Sequence, residues 1–258
     1  MTYTFEGGTI ETSLDNGILR IEFHHEQGNS FPSAMLSRLT DEIKAAGENK
    51  DVRIVILQSK GNQAFCAGAS FKELTQLDNE TDGFAFFSGF ANVINALRQC
   101  PKLVIGRIHD KCVGGGVGLA AACDYALATE KASIKLSELA IGIGAFVIGP
   151  VVERRIGNTA FMQLCIDASN WRNTEWAREK GLFAEVHPDE ASLDKAINTL
   201  SEKLASYSPD AMSALKNIFW GGTEGWNELL KERAAISGKL VLSDFTKEAI
   251  ERFKSRKK

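Results

Sequence analysis

Two turns made of small residues are the first places where this chain could carry out chemistry. One is Phe65–Ser70 (FCAGAS), which leads into a short helix, and the other is Gly114–Gly116, which leads into an apolar helix. Small residues at a helix N-terminus let a ligand approach the free backbone N–H groups. If both turns face one oxygen atom, they form an oxyanion hole. Either turn alone is also what tight packing would require, and Gly114–Gly116 does not match the dinucleotide pattern G-x-G-x-x-G.

A carboxylate stands in an apolar segment that follows the second turn. Lys135 and Glu138 are the only charged residues between Ala132 and Val152. A carboxyl group in an apolar wall has a raised pKa, so it can take and return a proton near neutral pH. The alternative is a solvated glutamate at a turn or one that caps a helix. The sequence therefore offers Glu138 as a candidate acid and base.

Strand and helix patterns alternate around these candidate residues. They predict a hairpin over 9–23 with Asn-Gly at its turn, helices over 33–47 and 82–99, and buried strands over 53–59 and 102–108. The order strand, strand, helix recurs at roughly forty residues. This recurrence predicts a coiled stack of ββα units with mainly parallel pairing.

The sequence predicts only helices after about residue 190. Four amphipathic segments follow one another without a strand, so they need another surface against which to bury their apolar faces. The main domain or a neighbouring subunit would serve. We therefore divide the chain into residues 1–190, a ββα core with the candidate site, and residues 191–258, a helical segment.

Composition argues against several classes of protein. The chain has 258 residues and a net charge of −3, which argues against a dedicated nucleic-acid binder, although residues 252–258 form a basic tail. Its five cysteines include no C-x-x-C pair and no zinc-ligand spacing, so we expect free thiols and no metal. The N-terminus lacks a signal-peptide core and no apolar run is long enough to span a bilayer. We therefore expect a cytoplasmic protein that acts away from membranes.

The two turns and the glutamate, in this order and spacing, resemble the crotonase (enoyl-CoA hydratase/isomerase) family. The segment AFCAGASFKEL (64–74) is similar to the family's A-F-x-A-G-A-D-x-K-E-[LM]. The segment KCVGGGVGLAAACDYALATEKASIKLSE (111–138) is similar to the family's glycine-rich motif, which ends in P-E. The resemblance runs from the N-terminal hairpin to the C-terminal helices. It implies an α/β fold, a crotonase-like spiral of repeated ββα units with a C-terminal all-helical oligomerisation segment.

The resemblance also implies roles for the residues that match. The backbone N–H groups of Ala69 and Gly115 would hold a thioester carbonyl, and Glu138 would act as acid and base. The implied coenzyme A contacts are Ala67 and Gly68 at the adenine end, Lys72 near the phosphates, and Phe253 and Arg256, which in the family often reach a neighbouring subunit. We interpret Asp124 as structural. The implied partners are an acyl-CoA thioester and further copies of the chain in a homotrimer or homohexamer, with no cofactor beyond the coenzyme A of the substrate.

One position departs from the family's hydratases. They carry a second glutamate where this chain has Gly118, and water addition uses two carboxylates. The family's double-bond isomerases use the glutamate that matches Glu138, and the stretch LAIGIGAFV (139–147) is also more similar to them. We therefore favour an enoyl-CoA isomerase. One alternative is an enoyl-CoA hydratase that works with Glu138 alone or recruits another acid, with branched, methylglutaconyl-CoA-like thioesters among its candidate substrates because Gly118 leaves room. Another is a non-catalytic acyl-CoA binder. RNA binding as a second activity has no support from the net charge.

Overall fold

The chain begins with a three-stranded antiparallel segment. The computed structural model describes the backbone of residues 1–255 and the side chains of residues 1–252. The first strands are β1 Thr2–Phe5, β2 Gly8–Asp15 and β3 Ile18–His25. Between β2 and β3, Asn16 and Gly17 have φ values of 49° and 79°. Positive φ at both positions suits the twist of a two-residue hairpin, so the Asn-Gly hairpin is confirmed.

Two sheets form the β structure of the described residues. The remaining strands are β4 Ile54–Ser59, β5 Leu103–Ile108, β6 Cys112–Val113, β7 Tyr125–Thr129, β8 Ser133–Lys135, β9 Arg172–Asn173 and β10 Glu185–His187. The larger sheet has the order β1-β2-β3-β4-β5-β7-β10, and its pairs from β3 onwards are parallel. The smaller sheet has the order β6-β8-β9. The sequence therefore predicted the mainly parallel pairing correctly.

Helices cover the sheets in the first two thirds of the chain. They are α1 Ser33–Glu48, α2 Phe71–Leu74, α3 Glu80–Gln99, α4 Gly115–Ala122, a 3-10 helix Glu138–Ile141, α5 Gly149–Ile166 and α6 Thr174–Glu179. The predicted helices over 33–47 and 82–99 are confirmed as α1 and α3. Helix α3 begins two residues earlier than predicted because the side chain of Asn79 accepts a hydrogen bond from the backbone N–H of Asp82 at 2.9 Å.

The ββα unit is present, but its period is irregular. In the successive units β5-β6-α4 and β7-β8-α5, the first strand joins the large sheet and the second joins the small one. Strands β4, β5 and β7 begin at Ile54, Leu103 and Tyr125. The predicted spacing of roughly forty residues is therefore wrong. Helix α3 takes 20 residues in one unit, whereas α4 takes only 8 in the next.

Three aromatic side chains connect the large sheet with the region of the candidate site. The ring centroids of Phe23 and Phe31 are 4.7 Å apart, and those of Phe31 and Phe90 are 6.2 Å apart in an edge-on arrangement. All three rings are buried. Such pairs add about 0.5–1.5 kcal/mol beyond the area that they bury. The core therefore holds Phe90, and with it α3, in a fixed position.

The C-terminal region is helical, as predicted. Its helices are α7 Glu190–Ala205, α8 Pro209–Phe219, α9 Trp226–Leu240 and α10 Asp244–Ser255. Leu193 and Ile197 of α7 pack on the large sheet. Helices α9 and α3 meet at Gly238 and Gly83, where a Cβ atom on Gly83 would lie 2.6 Å from the carbonyl oxygen of Gly238. The main domain of the same chain is therefore a packing surface for these helices, while the boundary at residue 190 stays a prediction.

Large apolar side chains remain exposed on several helices. Ile166 at the end of α5 and Ile218 and Phe219 at the end of α8 expose half or more of their surface. Exposed apolar surface of this kind favours contact with another molecule. Assembly into a trimer or hexamer stays a prediction. No helix in the described part of the chain has the length and apolar character needed to cross a membrane.

Asp124 lies in a buried polar network between strand β5 and helix α8. Its Oδ2 accepts hydrogen bonds from the backbone N–H of Val104 at 2.7 Å and pairs with Nζ of Lys216 at 2.8 Å. Its Oδ1 accepts from the indole N–H of Trp220 at 2.8 Å. Both charged side chains are almost completely buried. These contacts support the structural interpretation of Asp124.

Replacing Asp124 by Ala should lower the free energy of unfolding by about 3–5 kcal/mol, because the buried ammonium of Lys216 would lose its counter-ion. Urea denaturation followed by tryptophan fluorescence measures this change. The control is Glu228→Ala, which breaks an exposed pair with Lys231 and should change stability by less than about 1 kcal/mol. Equal stability of the two variants would contradict the assigned role.

Candidate active site

The first small-residue turn is held by a short backbone pairing to the start of α1. The N–H of Phe31 donates to the carbonyl of Gly68 at 2.8 Å, and the N–H of Ser70 donates to the carbonyl of Phe31 at 2.9 Å. Gly68 has a φ of +89°, a conformation that favours glycine. This geometry leaves the N–H of Ala69, between the two bonded positions, without a protein acceptor in the described part of the chain.

The second turn lies directly against the first. The N–H of Val113 donates to the carbonyl of Cys66 at 2.9 Å, which joins β6 to the first turn. A Cβ atom on Gly116 would collide with that same carbonyl of Cys66, so the close approach requires glycine. The nitrogen of Gly115 lies 3.4 Å from the place that a Cβ atom of Gly68 would occupy. The N–H groups of Ala69 and Gly115 therefore belong to adjoining turns, as the sequence predicted.

Glu138 stands over the second turn. It is the first residue of the 3-10 helix Glu138–Ile141. Its Oε1 lies 2.7 Å from the position that a Cβ atom of Gly114 would take, so glycine is needed there to admit the carboxyl group. Its Oε2 is buried and has no hydrogen-bond partner in the described structure. A buried carboxyl oxygen without a partner is costly, and it is available to a bound substrate.

Burial raises the pKa of the Glu138 carboxyl from 4.5 to about 7. A backbone hydrogen bond within the residue opposes this shift but is weaker. Both protonation states are therefore populated near neutral pH, which is what a group that removes and returns a proton needs. The predicted raised pKa is confirmed, and its cause is the apolar wall.

A cavity opens between the two turns and Glu138. Its volume is about 150 Å³. Ala69 and Gly115 line it together with Glu138, and the aromatic and aliphatic side chains around them are Phe71, Leu74, Phe86, Phe87, Phe90, Ile141, Ile143, Phe146, Val147 and Ile148. We call this cavity the acyl chamber. Among the side chains that the structure describes, only that of Glu138 is both ionisable and part of its lining.

A wider groove adjoins the acyl chamber and shares part of its wall. It has a volume of about 720 Å³, and Ala67, Ala69 and Val113 line both spaces. The groove carries the ammonium of Lys135, 4.7 Å from the ring centroid of Trp171, which also lines it. This contact is of the cation–π type. A long ligand can thus extend from the groove into the chamber.

The other residues that were predicted to contact coenzyme A lie in different places in the structure. Gly68 lines the chamber and Ala67 lines both spaces. Lys72 lies on the short helix α2, where its exposed ammonium pairs with Glu6 at 2.8 Å. The side chain of Phe253 and the whole of Arg256 lie outside the described residues. The coenzyme A roles of all these residues stay predictions.

The space beside Gly118, which the sequence predicted to be open, is filled. A Cβ atom on Gly118 would lie 2.5 Å from Cγ2 of Ile148 and 2.8 Å from its Cβ. Ile148 is itself buried. The expectation that Gly118 leaves room for a branched substrate is therefore wrong, because a side chain thirty positions along the chain packs on this glycine.

Three residues that shape the site were not predicted from the sequence. The ring of Phe90 lies against the α-carbon of Gly115, where an added Cβ would collide with it. Ile148 fills the space beside Gly118, and Trp171 faces the groove. Phe90 and Ile148 lie in apolar runs that have no distinguishing signal. The tryptophan beside Arg172, between polar residues, was the one available hint.

Two helix-start turns and a buried carboxyl group on a ββα spiral define an enzyme of the crotonase class. The sequence profile of the family described as Enoyl-CoA hydratase/isomerase matches residues 13–258. The chain belongs to this family. The crotonase resemblance, the α/β fold class and the assignment as an enzyme are therefore confirmed.

The relatives of this chain are named for different activities. The chain is 27% identical over 251 residues to a "Probable enoyl-CoA hydratase" of Bacillus subtilis (strain 168), covering 96% of each protein. It is 28% identical over 224 residues to a peroxisomal "Delta(3,5)-Delta(2,4)-dienoyl-CoA isomerase" of Arabidopsis thaliana, covering 81% of this chain and 79% of the relative. The crystal structure of an enoyl-CoA hydratase from Bacillus halodurans superposes with a TM-score of 0.88 at 20% identity, covering 94% of this chain and 99% of that one. This last likeness concerns the fold.

Proposed function

We propose that this enzyme moves the double bond of an enoyl-CoA thioester, with Glu138 as the group that transfers the proton. The observation that carries the proposal is the composition of the acyl chamber. Glu138 supplies the one ionisable side chain in its described lining, and Ile148 fills the place beside Gly118 where a second acid would stand. Isomerisation needs one acid–base group, whereas adding water needs two positioned carboxylates.

The proposed reaction begins with a 3-enoyl-CoA whose thioester carbonyl accepts hydrogen bonds from the N–H groups of Ala69 and Gly115. The ionised carboxylate of Glu138 removes a proton from C2. The electron pair of that C–H bond delocalises over C2, C4 and the thioester oxygen of a dienolate, and the two N–H donors and the start of α4 stabilise the negative charge on that oxygen. Protonated Glu138 then returns the proton to C4, and the double bond forms between C2 and C3.

This sequence of steps is balanced. It leaves no net change in protons or electrons, so it uses no water and no cofactor besides the coenzyme A of the substrate. The apolar lining of the acyl chamber supports it, because a dry site strengthens the interaction between the dienolate and its donors. The adjoining groove is the proposed place for the rest of the coenzyme A. A trimeric or hexameric assembly and a cytoplasmic location are part of the same proposal.

Isomerisation of 3-hexenoyl-CoA should exceed hydration of 2-hexenoyl-CoA by at least about tenfold in kcat/KM, because one positioned acid–base group is worth about 10²–10⁴ in rate. Purified protein is incubated with each substrate, and the products are separated by liquid chromatography with mass detection. The competing function is hydration, the activity named for the Bacillus subtilis relative. Efficient hydration without isomerisation would refute the proposal.

Restoring a second acid should require two substitutions. Gly118→Glu alone forces a side chain against Ile148 and should lower the free energy of unfolding by at least about 2 kcal/mol. Gly118→Glu combined with Ile148→Gly removes both contacting atoms, Cγ2 and Cβ of Ile148, and should raise the ratio of hydration to isomerisation by at least about tenfold. Ile148→Gly alone is the control and should not raise this ratio. A stable, hydrating single variant would show that Ile148 does not block the position.

A further inference from the structure

The acyl chamber is small. Its volume of about 150 Å³ is comparable to that of a dry cavity lined by Leu, Ile and Phe that holds a molecule of the size of benzene. A group of about four to six carbon atoms fills such a space. Longer chains would have to leave the chamber or displace its walls, and a packed interior resists such displacement.

Two bulky side chains that line the chamber, Ile148 and Phe146, pack on glycines. Helix α4 begins at Gly115, and Gly118 lies roughly 4.5 Å further along the helix axis. Ile148 packs on Gly118 at that level and lines the chamber. The ring of Phe146 covers Gly144 in the same way, since a Cβ atom there would collide with the ring. In both places a bulky side chain occupies the space next to the glycine.

The chamber also lacks a partner for a second charge on the acyl group. No lysine or arginine is part of its lining among the side chains that the structure describes. Its polar side chains besides Glu138 are Ser137 and Ser237, and the hydroxyl of Ser237 already donates to the carbonyl of Arg233 at 3.2 Å. An acyl chain that ends in a carboxylate would therefore lose its hydration without gaining a counter-ion.

We propose that Ile148 and Phe146 are the specificity-determining residues of this enzyme and restrict it to short, uncharged acyl chains of about four to six carbons. The proposal rests on the proposed function only in assuming that an acyl-CoA thioester occupies the chamber. It excludes the methylglutaconyl-CoA-like substrates that the sequence left open, because these carry a second carboxylate.

The test measures binding by calorimetry with the full chain and four saturated thioesters, which bind without turnover. These are butyryl-, hexanoyl-, dodecanoyl- and glutaryl-CoA. Hexanoyl-CoA should bind at least about tenfold more tightly than dodecanoyl-CoA, since even one methylene that does not fit changes affinity by about tenfold or more. Butyryl-CoA should exceed glutaryl-CoA by at least about tenfold, because of the buried charge.

Ile148→Ala and Phe146→Ala should each reduce the preference for hexanoyl-CoA over dodecanoyl-CoA by at least about tenfold. Glu153→Ala, at an exposed position on α5, is the control and should leave the preference unchanged. If both chamber variants fail to fold, the binding of hexanoyl- and dodecanoyl-CoA to the unmodified protein still tests the proposal.

Equal binding of hexanoyl- and dodecanoyl-CoA, or tight binding of glutaryl-CoA, would overturn this proposal and leave the isomerase proposal standing. A preserved chain-length preference in a protein without isomerase activity would refute only the proposed reaction. Absence of any acyl-CoA binding would refute both.

Discussion

Replacing Glu138 by Gln is expected to lower the turnover of 3-enoyl-CoA by about 10²–10⁴-fold while the affinity for acyl-CoA is retained. Glutamine keeps the shape of the side chain but cannot accept the C2 proton. The N–H groups of Ala69 and Gly115 are untouched, so thioester binding survives. Steady-state kinetics with 3-hexenoyl-CoA and calorimetry with hexanoyl-CoA measure the two effects separately. Glu130→Gln, at an exposed position, is the matched control.

The pH dependence of the unmodified enzyme provides a second measurement. Glu138 must be ionised to remove a proton, so kcat/KM of the unmodified enzyme should fall as the pH drops below about 7. Full activity of Glu138→Gln, or a rate that does not change across this pH range, would show that the carboxyl group has a structural role.

The pH should affect stability in the direction opposite to its effect on activity. The contribution of Glu138 to the free energy of unfolding should fall as the pH rises. Burial raises the pKa of Glu138 from 4.5 to about 7 in the folded state, so the folded chain holds this proton more tightly than the unfolded chain. The resulting stabilisation is complete below pH 4.5 and is lost as the pH rises through about 7. Glu138→Gln should therefore match the unmodified protein at low pH and exceed its stability by about 3 kcal/mol above pH 8.

Replacing Ala69 by Pro is expected to lower kcat by about 10²–10³-fold, because proline removes one of the two N–H groups proposed to hold the thioester oxygen. The change removes no hydrogen bond within the described protein, since this N–H has no protein acceptor there. The neighbouring bonds from Phe31 and Ser70 use other atoms. The loss should therefore appear in catalysis more than in stability.

Ala69→Gly is the control for this variant, because it keeps the N–H and should retain most of the activity. Thermal unfolding of both variants verifies that they fold. The corresponding change at the second donor, Gly115→Pro, is a poorer test, since the ring of Phe90 occupies the space that any side chain there would need. Unchanged kcat in a folded Ala69→Pro variant would exclude this N–H from the oxyanion hole.

The positions of single hairpins and helices could be predicted from the residue types within them. Asn16 and Gly17 adopt the positive φ values that a two-residue hairpin requires. The buried side chains of α1 include Met35, Leu36, Leu39 and Ile43, whose spacing is that of one helical face. The repeat length was predicted wrongly because helices of very different length, 20 residues in α3 and 8 in α4, follow the strands of successive units.

The candidate site was identified mainly by joint motifs. Neither small-residue turn was specific alone, and Glu138 could have been a solvated residue. The two turns and the glutamate together, in their order and spacing, resembled one family. In the structure, Ala69, Gly115 and Glu138 line one cavity. The backbone pairing between Cys66 and Cys112 joins the turns, and such a contact between residues far apart in sequence has no signature in either segment.

The sequence by itself determined the elements, the order of the ββα units and the three groups proposed for chemistry. Hairpins, amphipathic helices and glycine turns depend on neighbouring residues, so their signals are local. Only the tertiary structure decided that Ile148 fills the space beside Gly118 and that Phe90 covers Gly115. It also decided the size of the chamber that these side chains help to line. Packing between distant side chains sets these features, because a glycine leaves a space only where no other part of the fold occupies it.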